Sequence, residues 1–560
     1  MHADSPAPRK PSVSGSILMA ALWGSIAIYL IWATAHYVYW IRNPFPNEFR
    51  EGVSLDIADL MARRVNPFGP EAPGSFFYMY GFLNSWLVVG LGKLFGTNNY
   101  ALHRLVSAAC TVLAGLLIAW EVHRRCKSRV LSVLSFELMM VTSWVLNEAN
   151  ARPDQLGLLL STAALVSAQR IRRAWGVALA ALLTVAAFYA KQYFVIVGLE
   201  IFLYLLFLSK ARALALAVVT SLLLIATVVL VDRMYPTYFA MTILAYGEQP
   251  GSVRHLLNQM TAFAAFYGPL LALAGVAFVR LFRGVKTSMT LRGWGRPLIV
   301  LSKRDALATT TALEAEWTVY HAGFIVGGLA LLWMGLNPGS FMSYFYQLLL
   351  PSTVVMGMAG LNTCCPARLR LPAVIMIICC SVFHYTGKYS FTAFLTADQE
   401  AAWSKAHAIL DAQPHGEMYL GLPIFVDHAL RRHVRYYQNG HTPWNELLVS
   451  AWDRLRARAP RIANAIFPMA PAIGEKYRRF NREIVEGISA GKFGLVVTGS
   501  DRMAGSDAAL AREYLLLDTL KLSTGRQEIT CEFWIRKRRR DMQAPSNPNG
   551  ASNPRGAEAR

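Results

Sequence analysis

Two short polar stretches carry isolated cations where their surroundings carry almost none. Asn147-Glu148-Ala149-Asn150-Ala151-Arg152-Pro153-Asp154 separates two apolar runs, and Tyr189-Ala190-Lys191-Gln192-Tyr193 interrupts about 35 residues of apolar sequence. An arginine fork holds phosphate or carboxylate through two parallel hydrogen bonds. A lysine at membrane depth can simply snorkel to the surface, but an ionisable group there is a functional candidate by default. Arg152 and Lys191 are therefore candidate anion-binding residues, with Gln192 and Asp154 beside them. Pro153 and Asp154 would equally well form the first turn and dipole partner of a following helix. Tyr344, Tyr346 and Gln347 open a further apolar run, where an aromatic belt is expected, and Tyr346 is a supporting candidate.

Acids gather in the segment 41–75, at Glu48, Glu51, Asp56, Asp59 and Glu71. Asp56 and Asp59, with Leu55, Leu60 and Met61, fit an amphipathic helix starting near Glu51, where acids suit the dipole. Glu51 and Glu71 sit at breaks, one before Gly52 and the other inside Gly69-Pro70-Glu71-Ala72-Pro73-Gly74. A carboxylate in such a loop is ionised at neutral pH and can accept a hydroxyl proton or bind a cation, or it can be a solvated helix cap. On spacing alone these readings stay open for Glu51 and Glu71, and a divalent cation is the one cofactor the sequence leaves open, with Glu71 a possible ligand.

These residues need a scaffold, and the composition says which kind. The chain has 560 residues, 54% of them hydrophobic and 16% charged, with a formal charge of +21. A soluble nucleic-acid binder of that charge would be far less apolar. Eleven apolar runs are expected to be spanning helices: 18–40, 101–121, 130–147, 155–169, 174–190, 193–208, 213–231, 262–282, 318–336, 345–361 and 371–387. A twelfth run, 76–95, is interrupted by Gly81, Asn84, Gly90, Gly92 and Lys93 and fits an interfacial helix as well as a crossing. The first run follows Arg9 and Lys10 but has no small-residue cleavage site, so it reads as a retained span.

The basic links alternate. Arg124, Arg125, Lys127 and Arg129 fill one, Arg170, Arg172 and Arg173 the next but one, followed by Lys210 and Arg212, Arg280 to Arg304, and Arg368 and Arg370. The positive-inside rule makes these cytoplasmic and puts Arg152 and Lys191 outside. Past 388 short strand-like runs at 417–420, 493–498 and 529–535 alternate with polar helices at 399–412 and 475–490, a small α/β unit. The expected organisation is a cytoplasmic 1–15, an all-α polytopic membrane domain over 16–388 with its first external loop at 41–99, an extracytoplasmic α/β domain over 389–540, and a disordered tail over 541–560. The seven cysteines show no zinc-ligand spacing.

Together these features resemble the polytopic glycosyltransferases of the C-type fold, which include protein O-mannosyltransferases and the lipid A aminoarabinose transferase. The resemblance covers roughly the first 390 residues. It rests on Glu51-Gly52 with Leu55 and Ala58, on Glu71-Ala72-Pro73 before Phe76-Phe77-Tyr78, on Ala151-Arg152-Pro153-Asp154, and on Ala190-Lys191-Gln192. Two departures stand out: a single acid at Glu51 where relatives have Asp-Glu, and Ala72 where the aminoarabinose enzyme has Lys. The resemblance implies that 76–95 lies flat, that Glu51, Glu71, Arg152 and Lys191 share the outer face, and that the site lies outside a bacterial inner membrane. It further implies an inverting transferase that moves a sugar from a polyprenyl-phosphate carrier to an acceptor hydroxyl of a lipid, glycan or protein. Glu51 would be the base, Arg152 and Lys191 the phosphate ligands, and Asp154, Glu71, Gln192 and Tyr346 supporting residues. The runner-up is a transporter or flippase of a lipid-linked or anionic substrate, disfavoured because the chain shows no matching halves.

Overall fold

The computed structural model describes residues 13–48, 51–69, 80–146, 150–169, 171, 174–243, 252–284, 318–336, 342–387, 395–412, 417–431, 436–438, 453–454, 456–460, 470–499, 506–523 and 528–537. Glu71 and the 541–560 tail lie outside the described residues.

The chain is mostly helical, with one small sheet near its C-terminal end. A helix occupies each of the eleven apolar runs. These are α1 (Val13–Arg42), α4 (Tyr100–Cys126), α5 (Arg129–Leu146), α6 (Asp154–Ala168), α7 (Ala174–Ala190), α8 (Ile196–Leu208), α9 (Lys210–Met234), α11 (Val253–Gly284), α12 (Val319–Met334), α13 (Met342–Thr363) and α14 (Ala367–Gly387). Between them stand α2 (Glu51–Ala62), α3 (Leu83–Phe95) and the short α10 (Tyr238–Thr242). By length and composition, α4 and α9 could each cross a membrane. Leu214, Leu222, Ile225 and Leu230 of α9 are each more than half exposed, an outward apolar surface of the kind lipid would cover.

The run 76–95 holds one helix, α3, of 13 residues, and residues 80–82 before it are not helical. Helix α3 exposes Trp86, Leu87, Leu94 and Phe95 while burying Asn84 and Ser85. Its polar face thus turns to the protein and its apolar face outward.

The two ends of the bundle differ. At one end Glu121 pairs with Arg124 and Arg125, Arg212 donates to the carbonyl of Ile171, and Gln169 bridges Tyr204 and the backbone of Val319. The links expected to be cytoplasmic therefore meet. At the other end lie the α1–α2 loop, Tyr80, the α5–α6 turn and the α7–α8 turn.

The C-terminal part holds α15 (Ala397–Asp411), β1 (Met418–Leu420), α16 (Val426–Arg431), β2 (Tyr436–Gln438), α17 (Ala470–Ser489), β3 (Leu495–Thr498), α18 (Asp507–Glu513), β4 (Tyr514–Ser523) and β5 (Glu528–Arg536). The strand order is β2-β1-β3-β5-β4, parallel from β2 to β3 and antiparallel beyond. Alternation along the strands divides the side chains between two faces. Met418, Leu420, Leu495, Val497 and Phe533 join Trp403 of α15 and continue into Tyr37, Trp40 and Phe45 of the helical part. Tyr419 and Val496 pack on Phe480, Ile484 and Ile488 of α17. One sheet face is thus built into the membrane-type bundle rather than tethered to it.

Candidate functional site

Arg104 stands one turn into α4 and is fully buried. Its Nε donates to Glu51 Oε1 at 2.9 Å and its Nη2 to Oε2 at 2.5 Å. Nη1 reaches the carbonyls of Trp40 (2.6 Å) and Asn43 (2.7 Å), and Nη2 also reaches that of Phe45 (2.7 Å). The physical origin of this site is the end of α1. A helix C-terminus leaves carbonyls without intrahelical partners and favours a cation. Pro44 and Pro46, which have no N–H, keep the following chain from extending the helix.

Glu51 opens α2, where the dipole favours an anion. Besides Arg104, its carboxylate accepts the backbone N–H groups of Asn47 (2.6 Å), Glu48 (3.4 Å) and Ala151 (2.8 Å). It is buried to 0% exposure. A general base needs a lone pair facing its substrate; here both oxygens are occupied by N–H donors from three separate places in the chain. The bond from Ala151 has a direct consequence, because the next residue is Arg152. Ser107 Oγ fixes the same turn by donating to the carbonyl of Asn150 at 2.6 Å.

Arg152, Asp154 and Lys191, expected to lie on one side, meet in a buried cluster. Lys191 Nζ donates to Asp154 Oδ1 at 2.6 Å, and Arg152 Nε lies 3.4 Å from Oδ2. Arg152 Nη2 donates to the hydroxyl of Tyr80 at 2.9 Å. The Tyr80 ring centroid is 4.7 Å from Lys191 Nζ and 5.4 Å from the Arg152 guanidinium carbon. Tyr193 presents its ring to Lys191 at 5.1 Å. Asp154 is the first residue of α6, and Lys191 lies between α7 and the 3₁₀ turn Gln192–Val195.

Gln192 begins that turn, half-buried beside Lys191. Tyr346 is not a belt residue: it is fully buried and stacks on Tyr267 with ring centroids 4.1 Å apart. Among the described residues no group of three or more His, Cys, Asp or Glu side chains is gathered for a metal ion.

Arg104 and Tyr80 are the residues that sequence reasoning missed. Arg104 reads as the polar flank of an apolar run, and Tyr80 as one aromatic among several. The available signal was an arginine inside the run's first turn, a position that demands a buried partner.

Helix α16 of the C-terminal part seats on the back of Glu51's helix. Val426 packs with Leu55, Tyr100 and Ala151, and Tyr100 Oη donates to the Ile424 carbonyl at 3.4 Å. Burial raises the Asp427 carboxyl above its usual range, with Arg431 and Arg104 opposing.

No protein-family model matches this chain, and no curated protein matches it. Among solved structures, ArnT from Cupriavidus metallidurans bound to undecaprenyl phosphate is similar with a TM-score of 0.51 at 12% identity, over 91% of this chain and 98% of that one. Its apo state gives a TM-score of 0.52 at the same identity and coverage. The Archaeoglobus fulgidus oligosaccharyltransferase tethered with an acceptor peptide matches more loosely, with a TM-score of 0.45 at 10% identity, over 89% of this chain and 73% of that one. The likeness to ArnT gives this chain the fold of the C-type glycosyltransferases.

Proposed function

We propose that this chain is a polytopic membrane glycosyltransferase that takes a sugar from a polyprenyl-phosphate carrier and delivers it to an acceptor hydroxyl outside a bacterial inner membrane. The observation that carries this reading is the meeting of Arg152 and Lys191, from separate helix ends, on Asp154 beside Tyr80. Two cations that share one carboxylate suit a phosphate, and low-dielectric surroundings strengthen their hold on it. The fold supports the donor class, since the similar ArnT structure contains undecaprenyl phosphate. Eleven helices spanning the bilayer would put the cluster at its outer surface, with the Glu121–Arg124–Arg125 end inside.

In the proposed reaction the acceptor oxygen attacks the anomeric carbon from the face opposite the phosphate, with inversion. The carbon–oxygen bond to the phosphate breaks, and its electron pair leaves with the carrier. Arg152 and Lys191 balance the charge that grows on that oxygen, and Asp154 orients both. Gln192 supports the same turn. Glu51, rather than acting as the base, fixes the Ala151 N–H and so aims Arg152. The acceptor proton passes to another carboxylate of the first external loop, and Glu71 is proposed to contact the acceptor, the sugar or a divalent cation.

Purified protein in liposomes with a polyprenyl-phosphate sugar and membrane-derived acceptors tests this reading. Labelled product and free polyprenyl phosphate are expected. Movement of the labelled lipid between leaflets without product would instead identify a flippase.

A further inference from the structure

We infer that α8, α12 and α13 build a binding site for a sodium ion, with the carboxylate of Glu200 and the hydroxyl of Ser352 as its side-chain ligands. The site is separate from the Arg152–Lys191 cluster and does not rest on the transferase reading. Glu200 stands in the second turn of α8 and is 1% exposed, and Ser352 of α13 is fully buried. Among the described residues neither carboxylate oxygen of Glu200 nor the Ser352 hydroxyl has a hydrogen-bond partner. An ionised carboxylate buried in this way is too costly to stand without a compensating positive charge.

Two glycines of α12, one turn apart, show where these oxygens gather. A Cβ on Gly323 would strike Ser352 Oγ and lie 3.1 Å from Glu200 Oε2. One on Gly327 would lie 3.1 Å from Glu200 Oε1 and 3.4 Å from the carbonyl oxygen of Leu348. The absence of side chains at both positions lets a carboxylate, a hydroxyl and a main-chain carbonyl from two other helices close on one groove of α12. Pro351 interrupts the same part of α13; it has no N–H, so the Gln347 carbonyl loses its intrahelical donor. Interrupted helices of this kind offer carbonyl oxygens to cations.

The oxygens select the ligand. A protonated Glu200 would have one O–H to donate, and the Ser352 hydroxyl lies against the same glycine to receive it, yet the two are not bonded to each other. Carboxylate, hydroxyl and carbonyl are hard oxygen donors and suit a hard cation. The one carboxylate balances a single positive charge, whereas calcium sites draw on six to eight oxygens, commonly from several carboxylates.

The test uses the full chain in detergent, in choline-balanced buffer, with radioactive sodium chloride as the probe. Wild type should show a single saturable sodium site, displaced by unlabelled sodium chloride but not by an equal concentration of calcium chloride. Glu200→Gln keeps the shape and removes the charge, so saturable binding should be lost. Ser352→Ala keeps the charge and removes one ligand, so affinity should fall about tenfold. Thermal unfolding supplies a second readout: sodium should raise the midpoint of wild type and leave that of Glu200→Gln unmoved. Wild type that binds no sodium saturably, or Glu200→Gln that binds it as wild type does, would overturn the inference and leave Glu200 a protonated residue of the bundle core. Should Glu200→Gln not fold, wild-type affinity in Ser352→Ala would overturn the ligand set instead.

Discussion

Two buried arginine–carboxylate contacts lie side by side at one end of the bundle, and they are built to different ends. The Glu51–Arg104 pair is matched in charge, and its two partners are further engaged by the α1 carbonyls and by backbone N–H groups. In the neighbouring cluster Arg152 and Lys191 share the carboxylate of Asp154 and present themselves to aromatic rings. The first arrangement locks the α1–α2 loop, α4 and the α5–α6 turn together. The second concentrates positive charge, as the proposed phosphate site requires. Charge type alone does not separate a structural ion pair from a proposed binding site; the ratio of cations to carboxylates does.

The contrast is sharpest for Arg104→Ala. Removing one partner leaves Glu51 buried and uncompensated, so a loss of about 3–5 kcal/mol is expected in denaturant unfolding. A change below about 1 kcal/mol would mean the pair is not a structural node. Glu51→Gln comes next. The positioning role predicts that transfer and stability fall together, by about 2–3 kcal/mol in stability, because an amide N–H then faces the guanidinium. A base role predicts lost transfer with an unchanged melting temperature. For Lys191→Ala the expected pattern is reversed: transfer drops about 100-fold, equivalent to roughly 2.7 kcal/mol of barrier, while the fold is retained because Arg152 still faces Asp154.

Smaller effects bear on how the C-terminal part is attached. His407 of α15 lies against Phe45 (5.4 Å between ring centroids) and His428 (4.6 Å), with Asp411 and Arg431 nearby. Burial, then the adjacent His428, lowers its pKa from 6.5 to about 4. The unfolded chain therefore binds more protons between those values, and stability declines as pH falls through that window, by about 1–3 kcal/mol. Hydrogen exchange at β1 and β3 should accelerate between pH 6.5 and 4, and His407→Gln should flatten the response. The least effect belongs to Arg63→Ala: its partner Asp59 is one turn away on an exposed face, and such pairs contribute about 0.3–0.5 kcal/mol. Thermal unfolding that shifts by more than about 3 °C would contradict that assignment.

Much of the scaffold was legible because long apolar runs admit few alternatives. The run 174–190 coincides with α7, and the basic links between runs meet at one end as expected. Arg152, Asp154 and Lys191 could be picked out because isolated charges between apolar helices are conspicuous. Arg104 could not, since its partners are backbone carbonyls some 60 positions earlier, and non-local carbonyls leave no trace in residue type. For the same reason the acid of Glu51 was conspicuous while its saturation was not. Strand β4 was missed because Leu515, Leu516 and Leu517 run consecutively before Asp518, and the register shift between Leu516 and Asp518 breaks the alternation that marks a strand.

The most direct test is the release of polyprenyl phosphate from a polyprenyl-phosphate sugar, with membrane-derived acceptors present to take the sugar, by purified wild type and Arg152→Ala, with folded protein matched by melting temperature. The account predicts release by wild type and at least about a 100-fold loss in the variant at an unchanged melting temperature. Release by Arg152→Ala at the wild-type rate would contradict it.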